Sequence, residues 1–126
     1  MKAPEAVLAA MRQTNEIFDR EVVAKKNLDR LARIYTADAR ILPPGAPMMA
    51  GLDQIKSFWG QAIAGLGVTG AKLTIIDAEM AGDGVVEIGQ AALATGSGQV
   101  VVKYVVHWKQ EGGEWKWNID IWNLNS

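Results

Sequence analysis

The chain has 126 residues, a formal net charge of −1, no cysteine and one histidine, His107. This length is typical of one domain, so we expect a single domain over residues 1–126. The 13 basic and 14 acidic residues nearly cancel, which argues against binding to nucleic acid or to an anionic membrane surface. The absence of cysteine excludes thiolate chemistry and cysteine-ligated metals, and one histidine excludes a histidine-pair site. We therefore expect no metal and no cofactor.

The N-terminal segment does not read as a signal peptide, because Pro4 and Glu5 stand where an uninterrupted apolar run is needed. No apolar stretch reaches the roughly 18 residues that a transmembrane helix requires. These features predict a cytoplasmic protein that is not inserted in a membrane.

The first half of the sequence has helical periodicity. Apolar residues recur at spacings of three and four, which predicts a long helix over residues 4–26. Asn27 is a candidate N-cap for a short second helix over residues 28–35. A third helix is expected to begin with Asp53 as its cap and to end in the Gly-Leu-Gly sequence at residues 65–67.

The pattern of the second half predicts strands separated by glycine-containing turns. Four strands are predicted, over residues 73–80, 85–94, 99–109 and 115–123. Short connections imply an antiparallel meander. Helices followed by strands predict an α+β fold, with three N-terminal helices packed on one face of a curved antiparallel sheet.

Alternation along the last two strands predicts which faces are buried. The third predicted strand has one wholly apolar face, which must meet the helices. Alternation divides the last strand into two faces, Trp115, Trp117, Ile119 and Ile121 on one and Lys116, Asn118, Asp120 and Trp122 on the other. Both faces carry large apolar side chains, but the helices cover only one side of the sheet. A second copy of the chain would cover the other side, which predicts a homodimer formed through the outer sheet face. An edge strand with exposed rings is the alternative.

Several short motifs occur in an order typical of one superfamily. They are the run YTADARILPPG at residues 35–45, then Gly51, Ile55 and Phe58-Trp59, and later Lys103-Tyr104, Trp108-Lys109, Gly113-Glu114-Trp115-Lys116 and Asp120-Ile121-Trp122-Asn123. Together they resemble the nuclear transport factor 2-like superfamily, which includes ketosteroid isomerases and SnoaL-like polyketide cyclases. Within it, the chain is most similar to small stand-alone domains of unassigned function. The resemblance implies a conical pocket between three helices and a curved sheet, and dimerisation through the outer sheet face.

The resemblance does not carry over the steroid isomerase mechanism. The catalytic base of those enzymes corresponds to Pro43, and their protonated aspartic acid corresponds to Val106, so both groups are absent. Their oxyanion-hole tyrosine falls near Asp19. Two hydrogen-bonding aromatic positions remain, Tyr35 and Trp59.

The candidate pocket combines large rings with a few polar groups, as small-molecule sites do. Its members are Tyr35, Trp59, Tyr104, Val106, Trp108, Asn118, Asp120 and Trp122. Asp120 is the candidate catalytic residue, because burial beside Trp122 would raise the pKa of its carboxyl. SnoaL-like cyclases place an acidic base on this strand. Alternatively, the rings fill a core and Asp120 pairs with Arg40 or a lysine, while His107 is expected at the surface or an interface.

The sequence therefore predicts a homodimeric domain that binds a small apolar, cyclic or polyketide-like ligand. Its candidate activity is cofactor-free acid/base chemistry of the isomerase, cyclase or lyase type. A non-catalytic binding or assembly module is the alternative. An open pocket with Asp120 at its floor would favour chemistry, and a pocket filled by Trp59, Trp108 and Trp122 would favour a structural role.

Overall fold

The computed structural model describes residues 1–125, and its elements follow the order helices first, strands afterwards. The helical part consists of α1 (Glu5–Ile17), a π-helical segment (Phe18–Val23), a 3-10 turn (Leu28–Arg30), α2 (Leu31–Ile34) and α3 (Leu52–Leu66). The strands are β1 (Tyr35–Leu42), β2 (Met49–Ala50), β3 (Gly70–Ala81), β4 (Gly84–Thr95), β5 (Gly98–Glu111) and β6 (Glu114–Leu124).

All six strands form one sheet in the order β2-β1-β6-β5-β4-β3. The four long strands β3 to β6 are the antiparallel meander that the short turns predict, and the α+β fold class is confirmed. β1 adds a parallel pairing with β6 at the other side of the meander. No helix among the described residues is long and apolar enough to cross a bilayer.

The first helix differs from the uninterrupted helix expected over residues 4–26. From Phe18 the hydrogen bonding is π-helical, and the Ala24 N–H donates to the Asp19 carbonyl at 2.9 Å. The same segment is tied to the sheet, because Oδ1 of Asp19 accepts the backbone N–H of Ala71 at 2.7 Å. The π segment also places Phe18 among the buried core residues.

One of the two predicted N-caps is wrong and the other is confirmed in position. Asn27 occupies the N-cap position of the 3-10 turn, but its side chain makes no capping hydrogen bond there. The second helix ends before Tyr35, which already belongs to β1. Gly51, at a φ of 86°, caps α3, so Asp53 lies in the first turn, where its negative charge faces the positive end of the helix dipole. The predicted end is confirmed, because Gly67 adopts the left-handed conformation with a φ of 62°.

The inner face of β5 is buried as its alternation predicts. Val102, Tyr104, Val106 and Trp108 are all buried, whereas Val105 is exposed on the outer face. His107 lies half-buried on that outer face, opposite Ile119 of β6.

Strand β6 does not alternate regularly, and the predicted division of its faces is wrong. Trp108 pairs with Trp117 but His107 pairs with Ile119, so Asn118 is an extra residue that forms a β-bulge. The bulge changes the phase of the strand, so that Trp117 and Asp120 both point inward.

The side chain of Asn118 stabilises this bulge from the β1 side. Its Nδ2 donates to Oγ1 of Thr36 at 2.9 Å and to Oδ1 of Asp38 at 3.1 Å. Asn118 is 2% exposed, so these bonds satisfy an amide that would otherwise be buried without a partner.

Candidate functional site

A mainly apolar cavity lies between the helices and the inner face of the sheet. Its lining consists of Phe18, Trp59, Leu73, Ala91, Leu93, Val102, Tyr104, Val106, Trp117, Asp120 and Trp122. The cavity volume is about 40 Å³, which is room for roughly three waters. The empty space is about 420 Å³ when the open mouth of the cavity is included. Asp120 is the one carboxyl group among these lining residues.

Stacked aromatic rings form one wall of the cavity. The rings of Trp59 and Trp122 are nearly parallel, with centroids 5.3 Å apart and an angle of 15° between their planes. Phe58 packs edge-on against both rings, at 5.1 Å and 5.7 Å. A ligand larger than a few waters therefore requires the cavity to widen, for example by separation of these rings.

Asp120 is held from behind by a short chain of hydrogen bonds. The Tyr35 hydroxyl donates to Oδ2 of Asp120 at 2.6 Å, and Nε1 of Trp59 donates to the Tyr35 hydroxyl oxygen at 3.1 Å. An indole N–H can only donate, so Trp59 fixes the direction of the chain toward the carboxyl group. The other oxygen, Oδ1, has no hydrogen-bond partner within residues 1–125 and is free for a group in the cavity.

Burial sets the protonation of Asp120. Loss of water raises the pKa of Asp120 to about 7, repulsion from Glu87 adds to this, and the hydrogen bond from Tyr35 opposes it. Burial and the neighbouring Asp120 carboxyl raise the pKa of Tyr35 well above its ordinary value, so this hydroxyl remains a donor. No ion pair is formed by Asp120 with any described residue, and Arg40 is exposed, so the ion-pair alternative is wrong.

A second buried carboxyl group belongs to Glu87 of β4, a residue to which alternation along the strand assigns no face. Its Oε2 accepts the Tyr104 hydroxyl at 2.6 Å and its Oε1 accepts Nε1 of Trp108 at 2.9 Å. Burial raises the pKa of Glu87 to about 7, against the opposing effect of these two donors. No signal within β4 identifies it as buried, because Gly89 and Ala91 on its own face are no more apolar than Val86 and Ile88 on the other.

The position of Tyr104 depends on a glycine of the neighbouring strand. Gly89 pairs with Tyr104, and the tyrosine ring lies directly over it. A Cβ atom at residue 89 would lie 2.2 Å from Cζ of Tyr104, so any side chain there would displace the tyrosine ring. Gly89 therefore allows the ring to lie flat on the sheet with its hydroxyl at Glu87.

The structure brings together most of the candidate pocket residues. Those that line the cavity are Trp59, Tyr104, Val106, Asp120 and Trp122. Tyr35 lies behind Asp120, and Trp108 is fully buried against Glu87. Asn118 lies away from the cavity because the bulge turns it toward β1. The sequence missed Phe18, Trp117 and Glu87, two of them hidden by the π segment and the bulge.

Metal-binding side chains are not clustered among the described residues. Residues 1–125 contain no set of three or more histidine, aspartate or glutamate side chains arranged to hold an ion. The expected metal-free chemistry stays a prediction.

Solved structures with this fold come from several bacteria. One is a protein of unknown function from Mycobacterium tuberculosis, with a TM-score of 0.78, 13% identity, and coverage of 95% of this chain and 72% of that one. A ketosteroid isomerase-like protein from Erwinia carotovora has a TM-score of 0.75 and 12% identity, with coverage of 98% of this chain and 99% of that one. A hexachlorocyclohexane dehydrochlorinase from Novosphingobium barchaimii has a TM-score of 0.69 and 17% identity, with coverage of 96% of this chain and 86% of that one. At these identities the likeness establishes the fold alone.

Sequence comparison supplies the family. Comparison with curated protein sequences finds no significant match. The profile of the SnoaL-like domain family, in contrast, matches residues 15–118, from the end of α1 to the bulge of β6. Because this match spans most of the chain, the protein belongs to the SnoaL-like domain family.

Proposed function

We propose that this chain is a homodimeric, cofactor-free enzyme that uses Asp120 to move a proton on a small apolar or cyclic substrate. The observation that carries this proposal is the environment of Asp120. Asp120 is 5% exposed, and its carboxyl group lacks an ionic partner among the described residues. One of its oxygens is held by Tyr35, and the other is left for a ligand in the cavity.

The protonation of Asp120 suits this role. A carboxyl group with a pKa of about 7 exchanges protons near neutral pH, where a general acid or base is most effective. As a carboxylate, Oδ1 of Asp120 takes a proton from an acidic C–H group of the substrate, and the C–H electron pair stays on the substrate. Return of that proton to another atom regenerates the carboxylate and completes an isomerisation. Tyr35 fixes the carboxyl group for both steps.

The chemistry of the cavity wall restricts the substrate. The hydroxyl hydrogen of Tyr35 and the indole N–H hydrogens of Trp59 and Trp117 are all donated to protein atoms. They are therefore not available to a polar ligand. The remaining surface is mostly hydrocarbon and aromatic, which favours an apolar or cyclic, polyketide-like molecule. The names of two structural neighbours, an isomerase-like protein and a dehydrochlorinase, also favour an enzyme.

One observation favours the second candidate function, a non-catalytic binding or assembly module. With Trp59 stacked on Trp122, the cavity holds only a few waters. Rings that never separate would make this region a core rather than a site.

Exchange of hydrogen for deuterium in a simple ketone tests the proposal without knowledge of the natural substrate. Cyclohexanone carries acidic C–H groups next to its carbonyl and has no charge. The protein should accelerate loss of these proton signals in D₂O above the buffer rate, as followed by NMR. Binding of the ketone without acceleration would support the non-catalytic alternative instead.

The dimer in this proposal is supported by an apolar row on the outer sheet face. Ile88, Val105 and Ile121 pair with one another across β4, β5 and β6, and they are 48%, 42% and 39% exposed. A second copy related by a two-fold axis would cover this row with its own.

Sedimentation should therefore show a dimer at micromolar concentration. Val105→Lys places a charge in the centre of the apolar row and should shift the protein to monomers, because the lysine would be desolvated without a partner. Thr74→Lys is the matched control, since Thr74 is exposed on the outer face outside the row. A wild-type monomer, or equal effects of both substitutions, would contradict this interface.

A further inference from the structure

Proton transfer by Asp120 leaves the second buried carboxyl group without a role. Glu87 is fully buried, does not line the cavity, and has hydrogen bonds to Tyr104 and Trp108 alone among the residues described. Tyr104 does line the cavity. The contact through which Glu87 can act on a ligand is therefore its hydrogen bond to Tyr104.

Hydrogen-bond direction within this cluster fixes where a proton on Glu87 would lie. The Trp108 indole only donates, so Oε1 of Glu87 is an acceptor in both protonation states. A proton on Glu87 therefore lies on Oε2, which is 2.6 Å from the Tyr104 hydroxyl oxygen. When Glu87 is ionised, Tyr104 donates its hydrogen to Oε2. When Glu87 is neutral, Oε2 donates to Tyr104, and the tyrosine hydrogen is released.

The two carboxyl groups influence each other across the sheet. Glu87 and Asp120 pair with Val106 from opposite sides, so their backbones are about 10 Å apart, twice the spacing of neighbouring strands. Both side chains are buried on the same face, and like charges there repel. Ionisation of Asp120 therefore favours the neutral form of Glu87.

Glu87 has no ionic partner among the residues described that would oppose this coupling. The ionisable group that contacts it is Tyr104 on β5, the carboxyl group coupled to it across the sheet is Asp120 on β6, and its β3 neighbour is Ala78. Within residues 1–125, no lysine, arginine or histidine forms an ion pair with Glu87.

We propose that Glu87 is a positioning residue which, in its neutral form, turns the Tyr104 hydroxyl hydrogen into the cavity as a donor to the substrate. This inference rests on the proposed function and specifies its substrate class, an enolisable carbonyl compound. When Asp120 takes the proton next to the carbonyl, the C–H electron pair forms the carbon–carbon double bond of an enolate. The carbonyl π pair moves to oxygen, where Tyr104 stabilises the negative charge.

The sheet places the base and this donor within reach of one small molecule. Asp120 faces Val106 across the ladder, and Tyr104 is the next inward-facing residue of β5. Such diagonal neighbours lie about 7–8 Å apart at the backbone, and their side chains converge on the same cavity.

The carbonyl stretching band of bound cyclohexanone, read by infrared spectroscopy, tests this inference. The decisive measurements are made at about pH 9, where both carboxyl groups of the wild type are ionised. Glu87→Gln is the informative variant, because its amide accepts from Trp108 and donates to Tyr104 at every pH. The band should shift to lower frequency in Glu87→Gln but not in the wild type or in Glu87→Gln/Tyr104→Phe.

Four results would overturn the inference. Three come from the infrared experiment, and they are an unshifted band in Glu87→Gln, a shifted band in the wild type at this pH, and failure of the folded wild type to bind the ketone. Unchanged deuterium exchange in both Tyr104→Phe and Glu87→Gln would overturn it as well, while leaving Asp120 as the acid/base group. Absence of exchange in the wild type would instead contradict the proposed function itself.

Discussion

Asp120→Asn is expected to slow the deuterium exchange of cyclohexanone by about 10²- to 10⁴-fold, the contribution typical of a positioned general acid or base. Asparagine has nearly the same size and can still accept the Tyr35 hydrogen bond. It neither takes nor releases a proton near neutral pH. The cavity and its aromatic wall therefore stay in place while the proton-transferring group is removed.

Exchange rates measured by NMR at equal protein concentration check this expectation. Asp83→Asn is the matched control, because it makes the same chemical change on an exposed residue of the β3–β4 turn. Thermal unfolding of both variants shows that they are folded. We expect Asp120→Asn to be as stable as the wild type or more so, since a poorly solvated carboxyl group has been removed. Equal exchange rates in the two variants would contradict the role of Asp120.

The free energy of unfolding should decrease as the pH rises from about 5 to 8, the reverse of the usual behaviour of stabilising carboxylates. In the folded state Asp120 and Glu87 keep their protons up to a pKa of about 7, whereas in the unfolded chain they lose them near 3.8 and 4.5. Between these values the folded protein binds more protons. Their contribution to the free energy of unfolding is thus complete below about pH 4 and is lost as the pH rises past about 7. Together the two groups contribute on the order of a few kcal/mol.

Chemical denaturation at both ends of this range measures the effect. Asp120→Asn and Glu87→Gln should each reduce the pH dependence relative to the exposed control Asp83→Asn. Exposed carboxylates with a lowered pKa, such as Asp29 and Glu79, lose their stabilising contribution at lower pH, outside this range. Equal wild-type stability at about pH 5 and 8 would show that the two buried carboxyl groups are not protonated as inferred.

The overall architecture could be predicted because its signals are local. Helical spacing, glycine turns and the alternation of β5 are each contained in one stretch of sequence, and together they gave the α+β class and the buried face of Tyr104 and Trp108. The meander followed from the short turns alone. A cytoplasmic location has no such structural counterpart and stays a prediction.

The site could be predicted only in part because two of its determinants are tertiary. Nothing in the sequence around Asn118 marks an extra residue, since alternation is regular on either side and only contacts with Thr36 and Asp38 stabilise the bulge. Glu87 was ambiguous because small residues such as Gly89 and Ala91 give its strand little contrast between faces. The ring of Tyr104 on β5 packs over Gly89 and so shows which face of β4 is buried. This contact joins two strands and is not visible in the sequence of β4 alone.

The bulge at Asn118 also makes this strand tolerant of one change of length. Loss of the codon for Asn118 would remove the extra residue, so Ile119 could still pair with His107 and Asp120 with Val106. Asp120 and Trp122 would then keep facing the cavity, and Ile121 would stay on the outer face. An insertion within a regular stretch of the sheet would instead move the residues beyond it to the opposite face. A shortening at the bulge is thus a change that evolution could accept without exchanging the two surfaces of the sheet.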